Sequence, residues 1–299
     1  MCGIVGLQLR DADLRPRLGA LVSDMLVCLT ERGPDSAGLA LYADDLPAAC
    51  VRYSVRADAA DVDWSRLVGA LEDELGEVVD VSHTYGSSAV LASRADDAAV
   101  LDGLARLLPS AVVVGYGHAL EIFKDVGAPS EITERFRAAT RGGYQAVGHT
   151  RMATESAVTT GGSHPFSPVA DLCLVHNGSF SNYATVRRRL ADAGASFDTE
   201  NDSEVAARHI ARNLADGAAL GDALRLVLDD LDGFFTLLVT TATEFAVVRD
   251  PFACKPAVIA EHDRYVAMAS EYHALAGLPG IDDADVFEPM PEEVHVWSR

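Results

Sequence analysis

The order in which apolar patterns succeed one another does most to limit the fold of this chain. Ile4–Leu9 alternates apolar and polar side chains, the period of a strand, almost at the N-terminus. Leu14, Leu18, Leu21, Val22, Met25, Leu26 and Leu29 then recur at helical spacing, with Pro16 in the first turn, where its missing N–H costs nothing. Glu31-Arg32-Gly33-Pro34-Asp35 reads as a turn and Ala37–Tyr42 as a second strand. Further strands are expected at Val112–Tyr116, Ala146–His149, Leu172–His176, Phe234–Thr240, Phe245–Arg249 and Tyr265–Ala269. Helices are expected at Asn182–Ala193, Asp202–Leu214 and Asp222–Leu231. Strands, then helices, then strands at hairpin spacing suit α+β layers rather than strict βαβ alternation.

Composition narrows the partners. The 299 residues carry 45 acidic against 24 basic side chains, a formal net charge of −21. Such a surface repels phosphate backbones and anionic lipid, so neither nucleic acid nor a membrane is expected as a partner. Between Ala57 and Asp102 alone there are 11 acidic and 2 basic residues, which reads as a solvated face. No run approaches the roughly 18 apolar residues of a membrane span, and no basic-then-apolar leader opens the chain. Cys2, Cys28, Cys50, Cys173 and Cys254 form an odd set without a CxxC pair. A reduced, cytoplasmic protein is expected, with neither a disulfide framework nor a metal site.

The chemistry starts at Met1-Cys2-Gly3. Methionine is normally trimmed before a small residue, which would leave Cys2 with a free α-amino group of ordinary pKa about 7.7–8.0. A thiol with an amine on the same residue is a nucleophile that carries its own base. Asn177-Gly178 follows an apolar strand and offers a side-chain amide beside an unhindered N–H, two plausible oxyanion donors; an ordinary Asn-Gly turn is the plainer reading. Arg151 ends another strand, where a guanidinium can clamp a carboxylate through two parallel hydrogen bonds or simply serve as a surface partner. Asp202, at the start of a helix, could hold a substrate ammonium or act as an N-terminal cap.

Seven segments together resemble the class II glutamine amidotransferases, and they occur in that family's order. They are MCGIVGL at the start, ERGPDSAG at 31–38, GHTRMAT at 148–154, HNGSFSN at 176–182, NDSEV at 201–205, RDP at 249–251 and SE at 270–271. The resemblance implies the four-layer α/β/β/α sandwich of the N-terminal nucleophile hydrolases, an α+β fold spanning residues 1–299. It also implies roles: Cys2 as nucleophile, with its amine as base and later acid, and Asn177 and Gly178 as the oxyanion hole. Arg151 would hold the α-carboxylate of L-glutamine, Asp202 its α-ammonium, and Thr154 would join the substrate site. Arg32 would position the N-terminal residue. No cofactor is implied for this chain.

Two departures narrow the resemblance. Where the hexosamine enzymes carry tryptophan and histidine after the HTR segment, this chain has Met152 and Glu155, and about 52–143 reads as an insertion. Both are similar to the stand-alone amidotransferase subunit of split, archaeal-type glutamate synthases and of N-methylglutamate synthase. The chain ends soon after the SE segment, so the ammonia acceptor is expected to be a separate, flavin-dependent synthase subunit in a hetero-oligomer. A self-sufficient γ-glutamyl amidohydrolase and a non-catalytic glutamine sensor are the alternatives. The run Gly161-Gly162-Ser163-His164-Pro165 reads equally as a substrate-closing loop or a simple turn. His149 and His176 read as satisfied core histidines, and Cys28, Cys50, Cys173 and Cys254 as small hydrophobes.

Overall fold

The computed structural model describes residues 2–47, 49–58, 62–152 and 158–299. Strand β1 (Gly3–Leu9) leads through helix α1 (Leu18–Cys28) to β2 (Ser36–Tyr42). β3 (Val51–Ala57), α2 (Trp64–Leu75), β4 (Val79–Tyr85), β5 (Ser88–Ser93), α3 (Asp97–Leu107) and β6 (Ala111–Gly117) follow. Next come β7 (Leu120–Val126), α4 (Pro129–Arg135), β8 (Gln145–Arg151) and β9 (Cys173–Phe180). Three helices run consecutively, α5 (Tyr183–Asp192), α6 (Asp202–Ala215) and α7 (Leu220–Asp230). The remaining strands are β10 (Gly233–Thr240), β11 (Glu244–Arg249), β12 (Val258–His262), β13 (Tyr265–Ala269), β14 (Asp285–Phe287) and β15 (Val294–Ser298). The strands and helices expected from periodicity all form, with ends shifted by a few residues at most.

Seven strands make the main sheet, in the order β14-β12-β13-β1-β8-β2-β7, and a second sheet runs β15-β11-β10-β9. Neighbours pair antiparallel throughout, as hairpin-spaced strands should. Side chains on β1 sort by the two-residue period of a strand. Val5, Leu7 and Leu9 face one way, onto Leu18, Leu21, Val22 and Met25 of α1 and Phe136 beyond α4. Ile4 faces the other way and joins Val147 and Met268 against Val175, Leu238 and Val247 of the second sheet. That sheet's far face, with Leu237, Val239 and Val248, packs on Val186, Ile210 and Leu224 of the three consecutive helices. The layers are therefore α/β/β/α. Each fully buried aliphatic side chain contributes roughly 1.5–3 kcal/mol relative to exposure, and the central strands bury both faces.

A third sheet, β4-β5-β3-β6, packs Tyr53, Val55 and Leu91 under Leu67, Leu71 and Leu104 of α2 and α3. It arises from the stretch expected as an insertion, as do β7 and α4. β7 pairs with β2 from Ser36 opposite Val126 to Tyr42 opposite Leu120, at the edge of the main sheet. Arg52 of β3 is buried and ties the two sheets, its Nε 3.1 Å from Glu121 of β7. The cysteines divide: Cys50 and Cys173 are buried as expected, whereas Cys28 and Cys254 are exposed, so packing does not account for those two.

Candidate active site

The strand ends of both sheets bring Cys2, Arg32, Arg151, Asn177 and Gly178 to one place, with Asp202 joining from the start of α6. Gly3 pairs with Thr150 and Ser36 with Arg151, so the start of β1, the start of β2 and the end of β8 lie side by side. Cys2 is half-buried there, its Sγ 4.0 Å from the Met152 carbonyl oxygen. Its own carbonyl oxygen accepts two hydrogen bonds. Arg32 Nε donates at 2.9 Å and Asn177 Nδ2 at 3.2 Å. Arg32 is held in turn by Glu271, whose Oε1 lies 2.5 Å from the guanidinium. Gly33 lets the Arg32 turn press onto β8, since a Cβ at this position would lie 2.6 Å from the Arg151 backbone. Arg32 thus bridges the Cys2 carbonyl and Glu271.

Asn177 and Gly178 are not a turn. Both lie inside β9, paired with Thr236 and Phe235 of β10. Gly178 has φ +141°, and a Cβ there would meet the Phe234 carbonyl oxygen at 2.0 Å, so glycine is required on both counts. The Asn177 side chain is buried. Its Nδ2 also donates to Ser270 Oγ at 3.2 Å, and Ser270 clasps Ile4 through a hydrogen bond in each direction, both 2.9 Å.

Asp202 opens α6 but does not cap it. The cap is Asn201, whose side chain accepts from Ser203 N at 2.9 Å. One Asp202 oxygen accepts from Phe180 N at 2.9 Å, just past Gly178 on β9, and the other lies 3.9 Å from His176 Nδ1. The Gly161-Gly162 segment is a hydrogen-bonded turn, Ser163 N donating to Thr160 O at 3.2 Å. It lies between two of the expected substrate groups. The Gly162 carbonyl accepts from Asn201 Nδ2 at 3.2 Å, and a Cβ on Gly162 would sit 3.6 Å from the Arg151 guanidinium. Buried Lys124 of β7 holds the same segment, donating to the carbonyls of Ser163 at 2.9 Å and Pro165 at 3.0 Å. Burial pushes the Lys124 ammonium down to about 8. Thr154 lies outside the described residues.

Behind these groups three buried histidines adjoin one another. His149 and His164 stack with ring centres 4.0 Å apart, and Ser203 Oγ bridges His164 Nε2 at 3.0 Å and His176 Nδ1 at 2.8 Å. Burial keeps all three neutral, with His149 pushed down to about 3. They are core histidines, as expected, but their partners are the site residues themselves. Glu271, Ser270 and His149 each touch a site residue, although from the sequence alone Glu271 and Ser270 have no role and His149 only a core one. The signal available for them was membership of the SE and GHTR segments. Among the described residues no group of three or more His, Cys, Asp or Glu side chains could hold a metal ion. No helix of the described residues is long and apolar enough to cross a membrane.

Two stacked antiparallel sheets between helical layers, with a cysteine at the head of a central strand, define the N-terminal nucleophile fold. The solved structure of glutamine phosphoribosylpyrophosphate amidotransferase from B. subtilis, complexed with ADP and GMP, has the same fold. It superposes over 99% of this chain and 47% of its own length, with a TM-score of 0.64 at 20% identity. This chain thus spans about half of that protein. The glutamine amidotransferase domain family matches residues 149–277. Over its whole length the chain is 48% identical to the glutamine amidotransferase-like protein GlxB of Rhizobium meliloti, covering 99% of that protein. It is 33% identical to a putative glutamine amidotransferase of Methanothermobacter thermautotrophicus, covering 100% of each. The chain belongs to the glutamine amidotransferase family, a family of enzymes whose substrate is glutamine.

Proposed function

We propose that this chain hydrolyses L-glutamine to glutamate and ammonia through a γ-glutamyl thioester on Cys2. The observation that carries the reading is the convergence of Arg32 and Asn177, from separate segments, on the Cys2 carbonyl. With Met1 removed, the α-amine takes the thiol proton as Sγ attacks the side-chain amide carbon of glutamine. The oxyanion of the tetrahedral intermediate is stabilised by the Gly178 N–H and by Asn177 Nδ2, one of whose two N–H groups exchanges its present acceptor, the Cys2 carbonyl or Ser270 Oγ, for the oxyanion. The amine returns the proton to the leaving nitrogen, which departs as ammonia, and water then cleaves the thioester to glutamate and free Cys2. Arg151 holds the substrate α-carboxylate, with Asp202 on the α-ammonium and Thr154 beside them. All groups belong to the chain or to water, so the sequence of steps calls for no cofactor.

The ammonia, in this reading, passes to a separate flavin-dependent synthase subunit of glutamate synthase type in the cytoplasm. Support comes from Met152 and Glu155 after the HTR segment and from the long stretch at about 52–143, both similar to the split synthases' amidotransferase subunits. The test is direct. Intact mass should show loss of Met1, and the purified chain should release glutamate and ammonia from glutamine. A variant with one uncleavable residue ahead of Cys2 should release neither. Full activity from that blocked variant would overturn the mechanism, and turnover unchanged by any co-purifying subunit would favour a self-sufficient amidohydrolase.

A further inference from the structure

We infer that His149 is a positioning residue that fixes the orientation of the Asn177 amide. The inference rests on the reading of Asn177 as an oxyanion donor and adds the group that makes it one. An amide can be placed two ways round, and here the surroundings decide. The Cys2 carbonyl oxygen can only accept, so the Asn177 atom 3.2 Å from it is the nitrogen. Oδ1 then faces His149 Nε2 at 3.1 Å. The same Nε2 lies 3.1 Å from the carbonyl oxygen of His176, which also can only accept. Two acceptors on one ring nitrogen require that it carry the proton.

His149 is therefore the Nε2–H tautomer, with a bare Nδ1 that is buried and has no hydrogen-bond partner. A flipped Asn177 amide would set its NH2 against the His149 N–H and its oxygen against the Cys2 carbonyl. Both contacts would be repulsive, so the histidine holds Nδ2 toward the reacting cysteine. The ring is itself fixed by stacking on His164 at 4.0 Å and by burial on β8. Burial also keeps it neutral, its pKa pushed down to about 3, so its donor is unaffected by pH across the neutral range.

Four variants test this in the mature, untagged protein: His149→Phe, His149→Gln, Asn177→Ala, and His149→Phe with Asn177→Ala. Phenylalanine keeps the stacking and loses the donor, whereas the glutamine amide nitrogen reaches the place of Nε2. His149→Phe should lower kcat by about 10–100-fold, because an unheld Asn177 amide loses much of its hydrogen bond to the developing charge, with KM little changed. His149→Gln should recover most of that loss, with an unshifted pH profile. Added to Asn177→Ala, which should itself cost on the order of 10²–10³, His149→Phe should cost little more. An equal cost in both backgrounds, or a glutamine variant as poor as the phenylalanine one, would overturn the inference.

Nitrogen-15 NMR decides the point independently of activity. Wild-type His149 should show the Nε2–H tautomer at neutral pH, and the Asn177 side-chain amide resonances should move in His149→Phe but not in His149→Gln. An Nδ1–H tautomer, an imidazolium, or unmoved Asn177 resonances would refute it even if a variant failed to fold. If Asn177→Ala left kcat unchanged, the oxyanion reading would fall instead. The resonances would still report whether His149 holds the amide.

Discussion

Acidification from about pH 7.5 to about pH 5 should destabilise this protein through its buried histidines before its carboxylates respond. His149 is the clearest case. In the folded chain, burial first and then the neighbouring His176 and Arg151 push its pKa from 6.5 down to about 3, against hydrogen bonds to the His176 carbonyl and Asn177 that work the other way. The unfolded chain takes up a proton near 6.5 that the folded chain refuses. Stability is therefore complete above that value and falls as pH drops from 6.5 toward 3. At about 1.36 kcal/mol per pH unit, His149 alone costs about 2 kcal/mol at pH 5, against a typical total of roughly 5–15. His164 and His176 are lowered as well and add in the same direction, the latter opposed by Asp202. Asp11, Asp125, Glu204 and Glu293 are held below the usual carboxylate range, so their protonation acts at lower pH. The assay is urea unfolding at closely spaced pH, on wild type and on His149→Gln, which keeps a donor but cannot titrate. The variant should lose about 2 kcal/mol less over the interval. Equal slopes, or a wild type that holds its stability to pH 5, would refute the reasoning.

Three further perturbations have defined outcomes. Arg151→Lys should lower kcat/KM for glutamine severely, because an ammonium cannot reproduce the two parallel hydrogen bonds of a guanidinium; near wild-type kinetics would remove Arg151 from the substrate site. Arg32→Gln breaks the link from Cys2 to Glu271 and should cost roughly 1.5–3 kcal/mol of transition-state stabilisation, about 10–100-fold in kcat, with thermal denaturation showing the fold intact. Lys124 has a folded pKa of about 8 against 10.5 unfolded, so wild-type stability should rise between pH 8 and 10, by about 2 kcal/mol relative to Lys124→Met. Parallel curves for the two proteins would show that its charge is not suppressed.

The layers were legible in the sequence because their strands are apolar on both faces or alternate cleanly. β1, β9, β10, β11 and β13 sit between other layers, and their runs of Val, Leu, Ile and Ala leave little ambiguity. β7 is the harder case, because Ile122-Phe123 and Lys124-Asp125 break the alternation and Glu121, Lys124 and Asp125 are buried. β3 does alternate, Val51, Tyr53, Val55 and Ala57 against Arg52, Ser54 and Arg56, but its polar face is buried too, Arg52 included. Their charges are satisfied across elements distant in sequence, Arg52 on Glu121 and Arg56 on Asp125, pairings no local window contains. The site divides in the same way. Residue types at motif positions pointed to Cys2, Arg32, Arg151, Asn177, Gly178 and Asp202. That Asn177 belongs to a strand follows only from its pairing with Thr236 on β10, and that Asn201 rather than Asp202 caps α6 follows from the hydrogen bond its side chain accepts from Ser203 N.

The arrangement around Cys2 also explains why the site needs the whole sandwich. Its carbonyl is held by Arg32, from the turn after α1, and by Asn177, from the second sheet. Ser270, at the end of β13, joins Asn177 to the first strand through Ile4. Asn177 sits correctly only if the two sheets are docked at the right distance, and Ile4, Val175 and Leu238 between them set that distance. Cys2, just ahead of the first strand, is placed by contacts from distant segments. Its position depends on partners brought from 30, 175 and 268 residues away in sequence. The neutral hydrogen bonds contribute about 1 kcal/mol net each, and the charged one from Arg32 roughly 1.5–3. Together they fix Cys2, on whose amine and thiol the proposed mechanism depends, and they exist only in the folded chain.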